Sequence, residues 1–291
     1  MTRHRHMLAV AAVALIGLAA LAVSLSGGHS ASGDYASFAG CPLRDRATDV
    51  CIFAQTDSGE LIIGKRTIPI TRTMTLRGGV HEDEATGKQA FIGAEGGDTL
   101  SVTPQIVPGG ILDIVAPRLL PQKTLRRQLY ESIDKGLTDV TATPELVPSA
   151  VGVNTQNLIE AKGIGLSLAL KVKLSNPFLG ESCFIGSNAH PIVMALTTGV
   201  TRRYSRHRPI QGKPGHAKFE DDYNLVTIRA DSLVSDSFAA PRVTGCGGVH
   251  SALVDPAVDG ALGLPVAPGG NEAIFNGALS DANAPAVRAS R

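Results

Sequence analysis

One stretch of twelve residues, 164–175, constrains the fold more than any other part of the sequence. Apolar side chains occupy every second position, and the residues between them are small or charged. The apolar set is Ile164, Leu166, Leu168, Leu170, Val172 and Leu174. Successive side chains of a β-strand point to opposite faces, whereas a helix would spread these leucines around its whole surface. The stretch therefore predicts a long antiparallel strand with one face on a core and the other in water.

Shorter segments of similar character are separated by turn residues at intervals typical of a β-sandwich. The predicted strands are residues 50–55, 61–64, 66–70, 72–76, 89–94, 139–146, 183–186, 192–198, 225–230 and 273–279. Residues 56–59 predict a turn, and the pair Gly78-Gly79 predicts the end of a strand. We therefore expect a mainly β protein, an antiparallel β-sandwich with one short inserted helix and long loops.

The inserted helix is predicted at residues 122–135. Leu125, Leu129 and Ile133 recur every four residues and mark one helical face. Pro121 suits the first turn of a helix, and Gly136 is placed to end it. Residues 249–262 are compatible with a second short helix, although Pro256 is unfavourable for a long one.

The N-terminal residues predict export. A short basic start precedes 16 uncharged, mostly apolar residues, 8–23, and small residues follow. This run is shorter than the roughly 20 residues that a membrane-spanning helix needs. We expect residues 1–31 to be a signal peptide and leader, with an N-terminal membrane anchor as the alternative. The protein would then be extracellular or in the cell envelope.

The rest of the chain is divided by composition. Residues 32–40 predict a flexible linker, residues 41–280 a single β-rich domain with a possible subdivision near 118–137, and residues 281–291 a disordered tail. Without residues 1–31 the chain has 25 basic residues, since Arg3 and Arg5 are removed from 27, and 26 acidic residues. The net charge of about −1 gives no general attraction to nucleic acids, so we expect no specific nucleic-acid binding.

All four cysteines follow the predicted signal peptide, and an even number in an exported chain indicates disulfides. Three pairings are possible. We favour Cys41–Cys51, which closes a short polar loop, and Cys183–Cys246, which joins two distant segments. The alternative is a zinc site that combines the second cysteine pair with His190 and His250.

Motifs for enzymatic chemistry are incomplete. Residues 180–184 begin like a nucleophile elbow but lack its last glycine. His81-Glu82 begins like a zinc-protease motif, but alanine occupies position 85, where the second histidine would stand. Gly163 and Gly165 lack the third glycine of a dinucleotide site. We therefore predict no catalytic residue, metal ligand or cofactor, although distant carboxylates could still assemble a glycosidase-like pair.

Residues 199–218 are strongly basic, and we call them the basic loop. Five of its residues are the candidate anion-binding set: Arg202, Arg203, Arg206, Arg208 and Lys213. A cluster of this kind can bind an anionic envelope polymer or surface. The alternative is a solvated loop, balanced by the acidic residues Glu220, Asp221 and Asp222.

Several ordered blocks resemble a family of exported actinobacterial proteins of unknown function. The blocks are residues 174–180, 182–187, 191–193, 196–199, 231–234, 245–247 and 273–277. The blocks include both late cysteines, and the resemblance as a whole covers most of the chain after residue 31. The resemblance implies a secreted β-rich protein and carries no known activity or site residues. The basic loop departs from it, because the family suggests a Pro- and Thr-rich, weakly charged segment there.

These observations favour an exported β-sandwich with a binding or structural role and no recognisable catalytic motif. One alternative is a secreted hydrolase, which a deep pocket with two buried carboxylates, or a serine beside a histidine, would favour. A second alternative is a membrane β-barrel subunit, because residues 164–174 alternate as such strands do.

Overall fold

The computed structural model describes residues 31–83, 88–115, 122–132, 135–202 and 208–291. Its strands, in chain order, are β1 (Val50–Ile63), β2 (Arg66–Ile70), β3 (Met74–Asp83), β4 (Lys88–Gly93), β5 (Leu100–Val102), β6 (Gln105–Val107), β7 (Val140–Val153), β8 (Leu166–Ser175), β9 (Phe184–Ile185), β10 (Ile192–Leu196), β11 (His216–Glu220), β12 (Leu225–Ser235), β13 (Val243–Thr244) and β14 (Glu272–Asn283). The helices are α1 (Gly110–Val115), α2 (Lys123–Ser132), α3 (Lys135–Thr138), α4 (Thr155–Glu160), α5 (Ser251–Leu262) and α6 (Ala284–Ala289). The predicted signal peptide lies outside the described residues except for Ala31.

The strands form two antiparallel sheets that pack face to face. The first sheet has the order β11-β12-β14-β1-β3-β4, with β2 beside β1 and β5 beside β3. The second has the order β13-β9-β8-β7-β6, with β10 beside β8. One hydrophobic core cluster contains residues from both sheets. The predicted mainly β sandwich is therefore confirmed.

The alternating stretch forms β8, in the middle of the second sheet. Its even-numbered apolar residues from Leu166 to Leu174 are buried, whereas Ile164 lies before the strand and is half exposed. Leu170 pairs with Leu146 of β7 on one side and with Ile192 of β10 on the other. Each such buried side chain contributes about 1.5–3 kcal/mol to folding, so the pattern fixes both the strand and its inward face.

The turn predicted at residues 56–59 is wrong, because β1 continues through it. The ladder between β1 and β14 shifts register between Thr56 and Ser58, which marks a β-bulge. Gly59 has φ +136°, and a Cβ atom there would lie 1.9 Å from the carbonyl oxygen of Ile274. The glycine that suggested a turn thus allows two paired strands to approach closely.

The strand end predicted at Gly78-Gly79 is also wrong, since both residues lie inside β3. A Cβ atom on Gly78 would lie 2.4 Å from the ring of Phe91, and one on Gly79 would lie 2.5 Å from the side chain of Thr48. Neighbouring side chains occupy the space that these glycines leave, so the residues serve packing and do not break the strand.

The predicted helix at residues 122–135 is found as α2, followed by α3, with residues 133–134 outside the described part of the chain. The region around Pro256 forms the twelve-residue α5, which contains that proline. The short helices α1, α4 and α6 were not predicted. Among the residues that the structure describes, no helix is both long and apolar enough to span a membrane.

The segments predicted as a flexible linker, 32–40, and as a disordered tail, 281–291, both contain helical structure. Residues Gly33–Phe38 form a 3-10 helix, and β14 leads directly into α6. The two segments share a second hydrophobic cluster, which includes Phe38, Cys41, Cys51, Ala284 and Val287. A few apolar residues in a polar sequence bury enough surface to order both ends of the domain.

Candidate functional site

A cavity of about 80 Å³ lies between the two sheets, and we call it the inner cavity. Strands from both sheets supply its apolar walls. These include Leu61, Ile68, Leu76, Leu168, Val172 and Phe275. The inward face of β8, which the sequence predicted as a core face, therefore forms one wall of a cavity.

The inner cavity offers few hydrogen bonds to a ligand. Its most deeply buried polar side chain is Gln105, which is 3% exposed. The Oε1 atom of Gln105 accepts the backbone N–H of Thr71 at 3.0 Å, and its Nε2 atom donates to the carbonyl oxygens of Arg72 and Thr103 at 3.0 and 2.9 Å. Because this amide is already satisfied, the cavity suits apolar groups.

A larger cleft of about 690 Å³ adjoins the inner cavity, and we call it the edge cleft. It lies between β4 and β5 of the first sheet and residues 143–147 of β7 in the second. Leu100 and Pro144 line both the edge cleft and the inner cavity. These two residues therefore form the boundary between the edge cleft and the inner cavity.

The edge of β7 that faces away from β8 is only partly covered. Among the described strands, β6 pairs with residues 140–142 of β7 and no further along it. An uncovered edge can accept an added strand, but Pro144 lacks a backbone N–H group. This edge therefore presents fewer hydrogen-bond donors than an ordinary strand, and the edge cleft fits an apolar chain better than an added peptide strand.

Two carboxyl groups away from these spaces have a raised pKa, Asp231 and Asp281. Burial raises the pKa of Asp231 to about 6. Hydrogen bonds from the N–H groups of Gly277 and of Asp231 itself act in the opposite direction and lower this pKa, but burial has the larger effect. Burial also raises the pKa of Asp281, although the hydroxyl of Thr155 donates to its Oδ2 atom at 2.6 Å and lowers it. Neither residue is among those that line the inner cavity or the edge cleft.

Both predicted disulfides are present. The Cα atoms of Cys41 and Cys51 lie 5.5 Å apart, and those of Cys183 and Cys246 lie 4.1 Å apart. The zinc alternative for the second pair is therefore wrong. In the described parts of the chain, no group of three or more His, Cys, Asp or Glu side chains could hold a metal ion. The two disulfides indicate an oxidising, extracellular-type environment.

The basic loop lies partly outside the described residues, since Arg203 and Arg206 fall within the gap at 203–207. Arg202, Arg208 and Lys213 are exposed. Of the acids that were expected to balance the loop, Glu220 pairs with the last residue of the loop and Asp221 has a partner outside it. Lys218 pairs with Glu220, and Asp221 accepts a hydrogen bond from the hydroxyl of Tyr35. Anion binding by the candidate set stays a prediction.

Neither the inner cavity nor the edge cleft was predicted from the sequence. Two features of the sequence point towards these spaces: the inward face of β8, which was predicted, and Pro144, because proline is unusual within a strand. Comparison with known proteins found no matching family model, no similar curated protein and no similar solved structure.

Proposed function

We propose that this protein is an exported, non-catalytic binding protein that takes the end of an apolar chain into the inner cavity through the edge cleft. The observation that carries the proposal is the apolar cavity, with its buried amide already satisfied, beside an open cleft. The edge cleft falls within the roughly 300–1,000 Å³ typical of small-molecule sites. The inner cavity is smaller and accommodates only a narrow apolar end.

A binding role is favoured over hydrolysis by the residues that line these spaces. The sandwich contains pockets, as a hydrolase would require. However, the described residues around the inner cavity include no carboxylate and no histidine. The edge cleft has one carboxylate, Glu145, which pairs with Lys171 at 3.4 Å. Neither space therefore holds the carboxylate pair or the serine–histidine pair that the hydrolase alternative requires.

Export is the second part of the proposal. The basic and apolar start of the chain supports a signal peptide at residues 1–31. The disulfides support an oxidising destination outside the cytoplasm. We also propose that the chain is a member of the exported actinobacterial family that its sequence blocks resemble, with the cell envelope or the medium as its location.

Filling the inner cavity tests the binding role. Ala142 is 3% exposed and lines the inner cavity, so Ala142→Leu places extra methyl and methylene groups in that space. We expect the uncharged fluorescent probe N-phenyl-1-naphthylamine to bind the wild-type protein with increased emission. We expect the variant to bind it about tenfold or more weakly, because the apolar space is occupied.

The matched control is Ala217→Leu, which adds the same groups at an exposed position of β11. It should bind the probe like the wild type. A second variant, Leu100→Glu, places a charge where the edge cleft meets the inner cavity and should also weaken probe binding. It serves as the test if Ala142→Leu does not fold. Absence of saturable probe binding, or equal binding by wild type and both cavity variants, would contradict the proposal.

A further inference from the structure

A separate pocket of about 370 Å³ lies where the chain leaves β10, and we call it the Asp236 pocket. Its position is fixed by Thr197, whose backbone N–H donates to the carbonyl oxygen of Val234 of β12 at 3.0 Å. The chain passes here from the second sheet towards the first, at the base of the basic loop. None of the residues that line the inner cavity lines this pocket.

The carboxylate of Asp236 is held in the pocket wall with one oxygen unused. The residue is 3% exposed, and its Oδ2 atom accepts the hydroxyl of Thr201 at 2.7 Å. That hydroxyl in turn accepts the backbone N–H of Ile210 at 2.9 Å. The Oδ1 atom is buried and has no hydrogen-bond partner among the residues that the structure describes. Buried carboxylate oxygens normally accept a hydrogen bond, so Oδ1 is free to accept one from a ligand.

A positive charge lines the same pocket and does not neutralise the negative one. Arg202 is exposed, and no ion pair joins it to Asp236 or to another acid in the part of the chain that the structure describes. The guanidinium group presents several donors that match a carboxylate. The pocket thus offers separate sites for a cation and for an anion.

The remaining wall is aliphatic. Ile164 is 50% exposed and Val200 is 58% exposed, and both line the pocket together with Ala161 and Ala195. Aliphatic side chains this exposed present apolar surface that a ligand can cover. The volume also lies within the range of about 300–1,000 Å³ for small-molecule sites.

We infer that the Asp236 pocket binds a small aliphatic zwitterion of the α-amino acid class. The ammonium group donates to Asp236, the carboxylate accepts from Arg202, and the aliphatic part lies against Ile164 and Val200. A simple anion does not fit as well, because the carboxylate of Asp236 would repel it. The inference is independent of the apolar-chain proposal, since the two sites share no lining residue.

Three ligands that differ by one group test the inference by isothermal titration calorimetry. They are L-leucine, L-leucinamide, which lacks the carboxylate, and isocaproate, which lacks the ammonium group. L-leucine should bind with one site, and each of the other two should bind about tenfold or more weakly, since each loses one charge-assisted contact. If only one of the two analogues bound more weakly than L-leucine, the proposed pair of contacts, ammonium to Asp236 and carboxylate to Arg202, would be overturned.

Variants assign each charge to its residue. Arg202→Gln should bind L-leucine about tenfold or more weakly and should no longer discriminate against leucinamide. Asp236→Asn keeps an oxygen for Thr201 and should no longer discriminate against isocaproate. The control Arg208→Gln removes a basic-loop charge outside the pocket and should behave like the wild type. If Asp236→Asn does not fold, the three ligands and Arg202→Gln still test the inference. The inference would be overturned if the wild-type protein did not bind L-leucine, or if Arg202→Gln and Arg208→Gln lost the same amount of affinity for it.

Discussion

Asp231 shows how one residue combines burial with backbone irregularity. It lies on β12 next to a register shift, where Ala230 adopts φ +55°. The Asp231 residue is 4% exposed, and within the described parts of the chain its Oδ2 atom has no hydrogen-bond partner. Desolvation disfavours the charged carboxylate and raises its pKa from 3.8 to about 6. The ionised form therefore destabilises the fold.

This raised pKa predicts a pH dependence of stability. Between about pH 4 and pH 6 the folded state holds a proton on Asp231 that the unfolded state has lost, so the free energy of unfolding falls as pH rises. A difference of about two pKa units corresponds to up to about 3 kcal/mol. We expect Asp231→Asn to remove this fall and to be more stable than the wild type at neutral pH, as measured by urea denaturation at several pH values.

An exposed carboxylate provides the comparison. Asp98→Asn alters a side chain on the surface and should leave the shape of the wild-type stability curve unchanged. Asp281 keeps its own raised pKa in all three proteins, so it contributes equally to each curve. Parallel curves for the wild type and Asp231→Asn between pH 4 and pH 7 would show that Asp231 does not titrate in this range.

At the scale of elements, the sequence predicted strands where the local pattern was complete. β8 was predicted because its apolar residues alternate without interruption. The continuation of β12 beyond Ala230 was missed because a bulge interrupts the alternation there. β11 was missed because most of its residues are exposed, including Phe219, so no buried face marks it. Bulges and exposed hairpins depend on the partner strand, which a local pattern does not contain.

The packed N-terminal segment leads to a prediction about stability. Phe38 is 2% exposed and belongs to the cluster that joins both ends of the domain. Phe38→Ala should lower the free energy of unfolding by about 3–5 kcal/mol, because it removes a buried aromatic side chain and leaves a cavity. Urea denaturation measures this difference.

Phe178→Ala is the matched control, since Phe178 is 63% exposed. The same substitution there should change stability by less than about 0.5 kcal/mol. Two variants with equally small effects would instead support the flexible linker that the sequence predicted for residues 32–40.

At the scale of the whole molecule, both candidate sites depend on contacts between distant parts of the chain. The inner cavity combines Ala54 of β1 with Ala278 of β14, and the Asp236 pocket combines Ala161 with Ser237. The sequence separation of these residues does not reveal that they are neighbours, because the order of strands in the sheets brings them together. The sequence could therefore predict the core face of β8 and the two disulfides, but not the cavity or the unused carboxylate oxygen of Asp236.

Charge also acts at this scale, because a nearly neutral chain carries a concentrated basic loop. Arg208 and Lys213 are exposed, and no described acid forms an ion pair with either. We propose that the loop binds an anionic envelope polymer or surface. Polyphosphate is a suitable test ligand, and its affinity should fall steeply with increasing salt as counterions are released.

The final prediction removes these charges while Arg202 is kept for the Asp236 pocket. The substituted residues, each changed to serine, are Arg203, Arg206, Arg208 and Lys213. Polyphosphate binding, measured by calorimetry at several salt concentrations, should be lost, and thermal stability should change little because exposed charges contribute about 0–1 kcal/mol each. A control removes four exposed basic residues elsewhere: Arg46, Lys65, Lys123 and Lys162. If both quadruple variants lose binding equally, the attraction is a property of overall charge and the basic loop is simply solvated; if only the loop variant loses it, the loop is the binding surface.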